Sequence, residues 1–279
     1  MPLTYEQRVL RVLQHIHDHP AEDLSLDRLA DVAAMSRFHW HRVFQAMTGE
    51  TCAQAVRRIR LSLAANWLTN TGTPVQTIAS RAGYQNLQSF TRAFSERFGV
   101  PPATFRNSGL PGLLPPTNLR GEFTMFSVEL DNTPRKKLAA MQHHGNYNDI
   151  GACFDQLATL ATSEKLWPDV KGMIGVHYDD PNVVDEASLR SHAALWMSDD
   201  AAIPDSLEEV VLPESQCAIL HYKGPYQSIK VAYDYFYGDW LPRSGKEPAD
   251  APPYEIYLNS PADTAEADLL TDIVMPLAG

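Results

Sequence analysis

The amino-acid sequence predicts two domains: an N-terminal all-α double helix-turn-helix, and a C-terminal α+β domain with a duplicated strand–helix–strand unit around a ligand groove. Three observations predict this. One motif is written twice near the start, and a different motif is written twice further on. Between the two pairs lies a stretch rich in Gly, Pro, Ser and Asn, and the balance of charge reverses across it. Domains are therefore expected at 1–107 and 122–279, with a linker at 108–121.

In the first repeat, Leu26-Asp27-Arg28-Leu29-Ala30 leads through Ser36 to Phe38, Arg42, Phe44 and Gly49. Val75-Gln76-Thr77-Ile78-Ala79 leads through Asn86 to Gln88, Arg92, Phe94 and Gly99. The offset is 49 at Leu26/Val75 and 50 from Ser36/Asn86 onward, so one residue has been added in the turn between two helices. Each copy reads as helix, tight turn, helix. A first amphipathic helix is expected over Tyr5 to His17, with Val9, Leu10, Leu13 and Ile16 at helical spacing. Ser25, Ser36 and Asn86 are placed to cap later helices, Thr73 to cap a helix opened by Pro74, and Gly49 and Gly99 to end the two recognition helices. Ala53 to Leu68 reads as a long joining helix, with Val56, Ile59, Leu63 and Leu68 inward and Arg57, Arg58 and Arg60 outward.

The net charge of −11 over 279 residues conceals the reversal. Residues 1–110 carry 12 Arg, no Lys and 8 Asp+Glu, a net +4, and the remaining 11 Lys+Arg and 26 Asp+Glu give residues 111–279 a net −15. Arginine suits bidentate contacts to phosphate and guanine. The three cysteines, Cys52, Cys153 and Cys217, are scattered, so a disulfide framework is not expected. No apolar run reaches the roughly 18 residues that span a bilayer, and Met1 to Arg11 lacks a signal-peptide core. A cytoplasmic protein with no membrane partner is expected.

The second half changes texture. Strand-like runs lie at Phe126–Leu130, Leu138–His143, Met173–Tyr178, Ala193–Met197, Cys217–Tyr222 and Tyr254–Asn259, with helical stretches at Ile150–Thr162 and Ile229–Trp240. Gly145-Asn146-Tyr147-Asn148-Asp149-Ile150 leads to Phe154-Asp155, and Gly224-Pro225-Tyr226-Gln227-Ser228-Ile229 leads to Tyr233-Asp234, an offset of 79. Tyr178 and Tyr257 carry the same offset into the strands. Two such units are expected to pack about a pseudo-two-fold axis with a small-molecule groove between them.

Two helices near the start are thus set to enter adjacent major grooves of double-stranded DNA. Their apolar anchors are Val43 and Phe44 in the first and Phe90 and Phe94 in the second. Phe38, Trp40, His41, Arg42 and Gln45 are available to contact DNA from the first helix, and Gln88, Ser89, Thr91, Arg92 and Glu96 from the second. Arg reads G, Gln reads A, and an aromatic or apolar edge meets the thymine methyl.

These residues carry a resemblance. Residues 5–106 resemble the DNA-binding domain of AraC/XylS-type transcription activators, most specifically at Ala79–Tyr84, Phe90–Phe94 and Phe98–Arg106. Relatives often have Trp where Phe38 stands, and some have a polar residue where Leu87 stands, so base preferences do not transfer. Residues 123–277 resemble the DNA-gyrase-inhibitor-like (GyrI-like) effector-binding domain at His221–Tyr226, Tyr254–Asn259, Leu270–Ile273 and Met275–Leu277. The resemblance implies a transcription regulator, an activator, with a small-molecule effector and RNA polymerase as partners.

Glu255 stands in an otherwise apolar strand. Alternation puts it with Tyr257 on one face and Tyr254, Ile256 and Leu258 on the other. A carboxylate beside aromatic rings suits a lipophilic cation, and the resemblance makes Glu255 the ligand-binding acid. Trp196, Tyr147, Tyr226, Tyr233 and Tyr178 are the aromatics expected around it. Two other readings of this half stay open: an enzyme that hydrolyses reactive small molecules with Glu255 as general base, and a protein-binding module. His15 and His19 share a helical face without a third ligand, so neither a metal nor a cofactor is expected.

Overall fold

The computed structural model describes residues 3–108 and 125–279; the linker expected at 108–121 lies outside them except for Ser108. The described residues group into two compact units, the first helical and the second α+β.

The helices up to residue 108 are α1 (Tyr5–Asp18), α2 (Leu26–Ala33), α3 (Arg37–Thr48), α4 (Cys52–Asn70), α5 (Val75–Arg81), α6 (Leu87–Phe98) and α7 (Pro102–Ser108); all group with the first unit except His41–Met47 of α3, which group with the second. Its caps follow the sequence closely. The Ser25 hydroxyl accepts from the Arg28 amide, and the Asn86 side chain accepts from that of Ser89 at 2.8 Å. Gly49 and Gly99 follow their helices with positive φ. The start of α5 differs: Pro74 is the cap residue and makes no side-chain cap bond. In α1 the buried stripe is Tyr5, Val9, Val12 and Ile16, while Leu10 points to solvent, because the i, i+4, i+7, i+11 row is the one that stays in line along a 3.6-residue helix. Leu61, Leu68, Ile78, Phe90, Phe94 and Phe105 close a core over α4 to α7.

The second unit is built on β1 (Ser127–Thr133), β2 (Lys136–His144), β3 (Val170–His177), β4 (Arg190–Met197), β5 (Glu208–Leu212), β6 (Ser215–Lys223), β7 (Tyr254–Tyr257) and β8 (Leu270–Pro276). The sequence reading missed β5 and β8 as strands. All eight form one antiparallel sheet in the order β1-β6-β8-β7-β3-β4-β2-β5.

That order forces curvature. β1 and β2 are six places apart, which in a flat sheet is about 29 Å. Only Pro134 and Arg135 connect them, a span of at most about 11 Å. Pro213 and Glu214 impose the same limit between β5 and β6. The sheet therefore curls until its two ends approach. Inside the curl, Leu138, Ile174, Ala194, Leu212, Cys217, Ile219, Tyr254 and Val274 form one cluster that no single flat patch would join. The helices lie on the outer face: Leu157 and Ala161 of α8 (Gly151–Ser163) pack with Ala139, Ala193, Leu195 and Met197.

The duplication is visible in the backbone, and its register differs from the sequence expectation. Before the helices the offset is 79: the Ile150 amide bonds to Tyr147 O as that of Ile229 bonds to Tyr226 O. After the helices it is 80: the Tyr178 amide bonds to Arg190 O as that of Leu258 bonds to Leu270 O. The extra residue falls in the second helix, which runs as α9 (Lys230–Tyr235), a π turn (Phe236–Trp240) and α10 (Leu241–Ser244). Buried Phe236 answers Leu157 at 79, and buried Leu241 answers Ala161 at 80. A π turn takes one residue more than an α turn, as a single insertion requires. The counterpart of Tyr257 is thus His177, not Tyr178, and the counterpart of Glu255 is Gly175.

Candidate functional site

The two recognition helices present different sets of side chains from those expected. In α3, Trp40, Val43 and Phe44 are all fully buried at i, i+3 and i+4. Trp40 was expected to face DNA; it belongs to the inward stripe instead, because a helix that buries Val43 and Phe44 must also bury the position one turn before them. His41 is also buried. Phe38, Arg42 and Gln45, at i, i+4 and i+7, form the opposite stripe and keep partial exposure. In α6, Phe90 and Phe94 are buried as anchors, Gln88 and Arg92 are exposed, and Ser89 and Thr91 are partly so.

In the second unit, Glu255 sits in the middle strand pair of the curled sheet, directly opposite Gly175. It faces outward, on the helix side. Tyr233 of α9 donates its hydroxyl to Glu255 Oε1 at 2.8 Å, and Tyr257 donates to Oε2 at 2.9 Å. His177 Nε2 lies 3.5 Å from Oε1, an electrostatic contact rather than a well-formed hydrogen bond. Glu255 is only 6% exposed. Burial pushes its pKa up, but His177 and the two phenols together outweigh that and hold it below the ordinary glutamate value. The phenols of Tyr233 and Tyr257 move far the other way, through burial and then the adjacent carboxylate. The site is thus a buried anion fed by two neutral donors.

Aromatic rings extend it. The rings of Tyr226 and Phe154 each meet Tyr257 edge-on, at 5.5 and 5.3 Å. Tyr147 lies against His177 at 4.7 Å, its hydroxyl bonded to the backbone of Asp179 and Arg190. Gly175 makes room: a Cβ there would lie 2.6 Å from the Tyr257 hydroxyl and 3.1 Å from His177 Nε2.

Five of the seven effector-site residues named from sequence are therefore brought together: Glu255, Tyr257, Tyr233, Tyr226 and Tyr147. Trp196 and Tyr178 are not. Both pack with the Tyr254 and Ile256 cluster inside the curl, on the opposite face of the sheet from Glu255. Strand alternation decides this: Trp196 pairs with Leu138, an inner residue, and the 80-residue register removes the match between Tyr178 and Tyr257. Tyr178 instead bonds His192 Nδ1 at 2.8 Å. Reading the sequence missed His177, Gly175 and Phe154. A glycine inside a strand pattern, which marks a close approach, was the available signal for Gly175.

Residues 126–278 match the GyrI-like small molecule binding domain, and residues 29–108 match a helix-turn-helix domain. The chain belongs to the GyrI-like family. Its helical unit is of the AraC/XylS family. It is 30% identical over 101 residues to the multiple antibiotic resistance protein MarA of Escherichia coli (strain K12), which is 36% of this chain and 80% of MarA. It is 38% identical over 125 residues to the right origin-binding protein of the same organism. It is 37% identical over 125 residues to the transcriptional regulator Rob of Salmonella typhimurium. The match spans 43% of this chain and 43% of each of these two relatives, less than half their length. No helix among the described residues is long and apolar enough to cross a membrane.

Proposed function

We propose that this GyrI-like family member is a one-component transcription regulator, an activator, whose GyrI-like unit binds a small lipophilic cation. The observation that carries the effector half is the buried Glu255 carboxylate, held between the Tyr233 and Tyr257 hydroxyls, with the rings of Tyr226 and Phe154 against Tyr257. A desolvated negative charge attracts a cation, and the rings add cation–π attraction that a metal aquo ion would not exploit. The helical unit binds double-stranded DNA through α3 and α6, one per major groove, as its AraC/XylS membership supports. Effector binding alters activity only if the effector favours one state of the protein over another. RNA polymerase is the partner through which an activator of this kind acts.

The enzymatic reading of Glu255 is less well supported. A carboxylate held below its ordinary pKa is a weak proton acceptor at neutral pH, whereas a general base works best with a pKa near it.

The effector reading is tested by calorimetric titration with tetraphenylphosphonium and, as a control of equal size and opposite charge, tetraphenylborate. Saturable binding of the cation alone, lost in Glu255→Gln, supports it; equal binding of both ions, or binding unchanged in Glu255→Gln, overturns it. The DNA reading is tested by fluorescence anisotropy with duplex selected from a random pool. Arg92→Ala should weaken binding by about 1–3 kcal/mol and relax base preference at one position. Absence of any affinity for duplex would overturn it.

A further inference from the structure

A cleft of about 860 Å³ opens between the two helix-turn-helix motifs, bounded by residues 21–25, by α4 and by the start and flank of α6. Three arginines line it: Arg57, Arg60 and Arg92. Their situations differ. Arg60 is committed to the fold, donating from Nε to Pro20 O at 2.7 Å and from a guanidinium nitrogen to Glu22 O. Gly83 lies against that guanidinium, at positive φ and with no room for a Cβ. The nearby carboxylates are committed too: Asp23 accepts from the Ser25 amide and hydroxyl, and Glu22 pairs with His19.

Arg57 and Arg92 have one carboxylate between them. Glu96 accepts from Arg57 across 39 residues of chain, and lies 4.0 Å from Arg92 Nε one turn back along α6. All three side chains are well exposed, Arg57 at 52%, Glu96 at 54% and Arg92 at 80%. Exposed ion pairs are weak and exchange readily. Ser89, Arg92 and Glu96 line up at i, i+3 and i+7 on the flank of α6 turned toward α4. Arg92 and Ser89 also belong to the set from which α6 would read bases. The cleft therefore adjoins the DNA-reading edge.

We propose that this cleft receives the DNA sugar-phosphate backbone between the two groove contacts, and that Glu96 is a built-in competitor for it. Without DNA, Glu96 occupies Arg57. With DNA, a phosphate takes its place, and the carboxylate remains beside it as a repulsive charge. Glu96 thus lowers affinity for every duplex alike, leaving base contacts to supply the selectivity. This rests on the DNA-binding reading above.

The test is anisotropy with the full chain and random-sequence duplex at several salt concentrations. Removing the carboxylate frees the equivalent of one more cation for the phosphates, worth about 0.9 in log–log salt slope, so Glu96→Gln should bind about five to ten times more tightly than the parent at 0.1 M salt. Arg57→Ala should bind more weakly, with a slope shallower by about one. Glu96→Gln placed on Arg57→Ala should recover little of its gain. Unchanged affinity and slope in Glu96→Gln overturns the proposal. So does an undiminished gain in the Arg57→Ala background, which would mark a diffuse charge effect. A parent protein that binds no duplex overturns the DNA reading itself, an outcome distinct from a binding parent with an inert Glu96.

Discussion

Gly175 and Glu255 face each other across the β3–β7 pair, equivalent positions of the two repeats carrying the least and the most chemistry. The duplication would place two side chains at the pseudo-two-fold seam. One copy keeps a carboxylate and the other withdraws to a hydrogen. The space so left is filled by the Tyr257 hydroxyl and His177, the next equivalent pair outward along the strands. Asymmetry at the seam is what turns a repeated scaffold into one site.

Gly175→Ala is the direct check. Its methyl would meet the Tyr257 oxygen at 2.6 Å, so the phenol must move and its bond to Glu255 lengthen. Overpacking of this kind costs about 1–3 kcal/mol. Melting temperature should fall, and cation affinity, measured by calorimetry, should drop about tenfold for each 1.4 kcal/mol of lost interaction. Unaltered affinity would remove Tyr257 from the ligand's surroundings.

Glu255 should impose an acid limb on stability. Its pKa is depressed in the folded state, so its contribution is present above the unfolded value of about 4.3 and is lost as pH falls through the lower folded value. Melting temperatures from pH 3 to 6 should show a steeper decline for the parent than for Glu255→Gln. Parallel curves would mean that the carboxylate gains nothing from its partners on folding.

His221 should act in the opposite direction. Its Nδ1 bonds to Asp272 at 2.7 Å, and that bond, with Glu129 at 3.5 Å from Nε2, raises its pKa. Stability from this pair is full below the unfolded value of about 6.5 and is lost as pH rises through the folded one. The effect should be small, since the ring is 41% exposed. The melting-temperature difference between pH 6 and pH 8 should narrow in His221→Asn.

Trp40→Ala sets a core residue against an exposed one. Removing a fully buried indole should cost about 3–5 kcal/mol, visible as early unfolding of the helical unit in denaturant. Gln88→Ala, at an exposed position of α6, should leave stability within about 0.5 kcal/mol. Similar stabilities for the two variants would contradict the burial of Trp40.

Much of this was written locally. Caps such as Ser25 and Asn86, the glycines that end the recognition helices, and the phenylalanine pairs in α6 follow from rules that act within one turn of helix. The alternation that puts Glu255 and Tyr257 on one face is equally local. Glu255 and Tyr257 were legible for that reason, and Tyr147, Tyr226 and Tyr233 through the duplicated motif that carries them.

What the tertiary structure alone decided has one physical cause: side chains distant in sequence meet only after the sheet curls and its register is set. A π turn shifts the second repeat by one residue, which makes His177, not Tyr178, the counterpart of Tyr257, while strand alternation leaves Tyr178 on the inner face. The two-residue connections at Pro134 and Pro213 bend the sheet, so Trp196 ends inside the curl and not beside Glu255. Strand alternation is exact along one chain segment, but which face becomes the pocket depends on where the helices and the opposite edge come to lie.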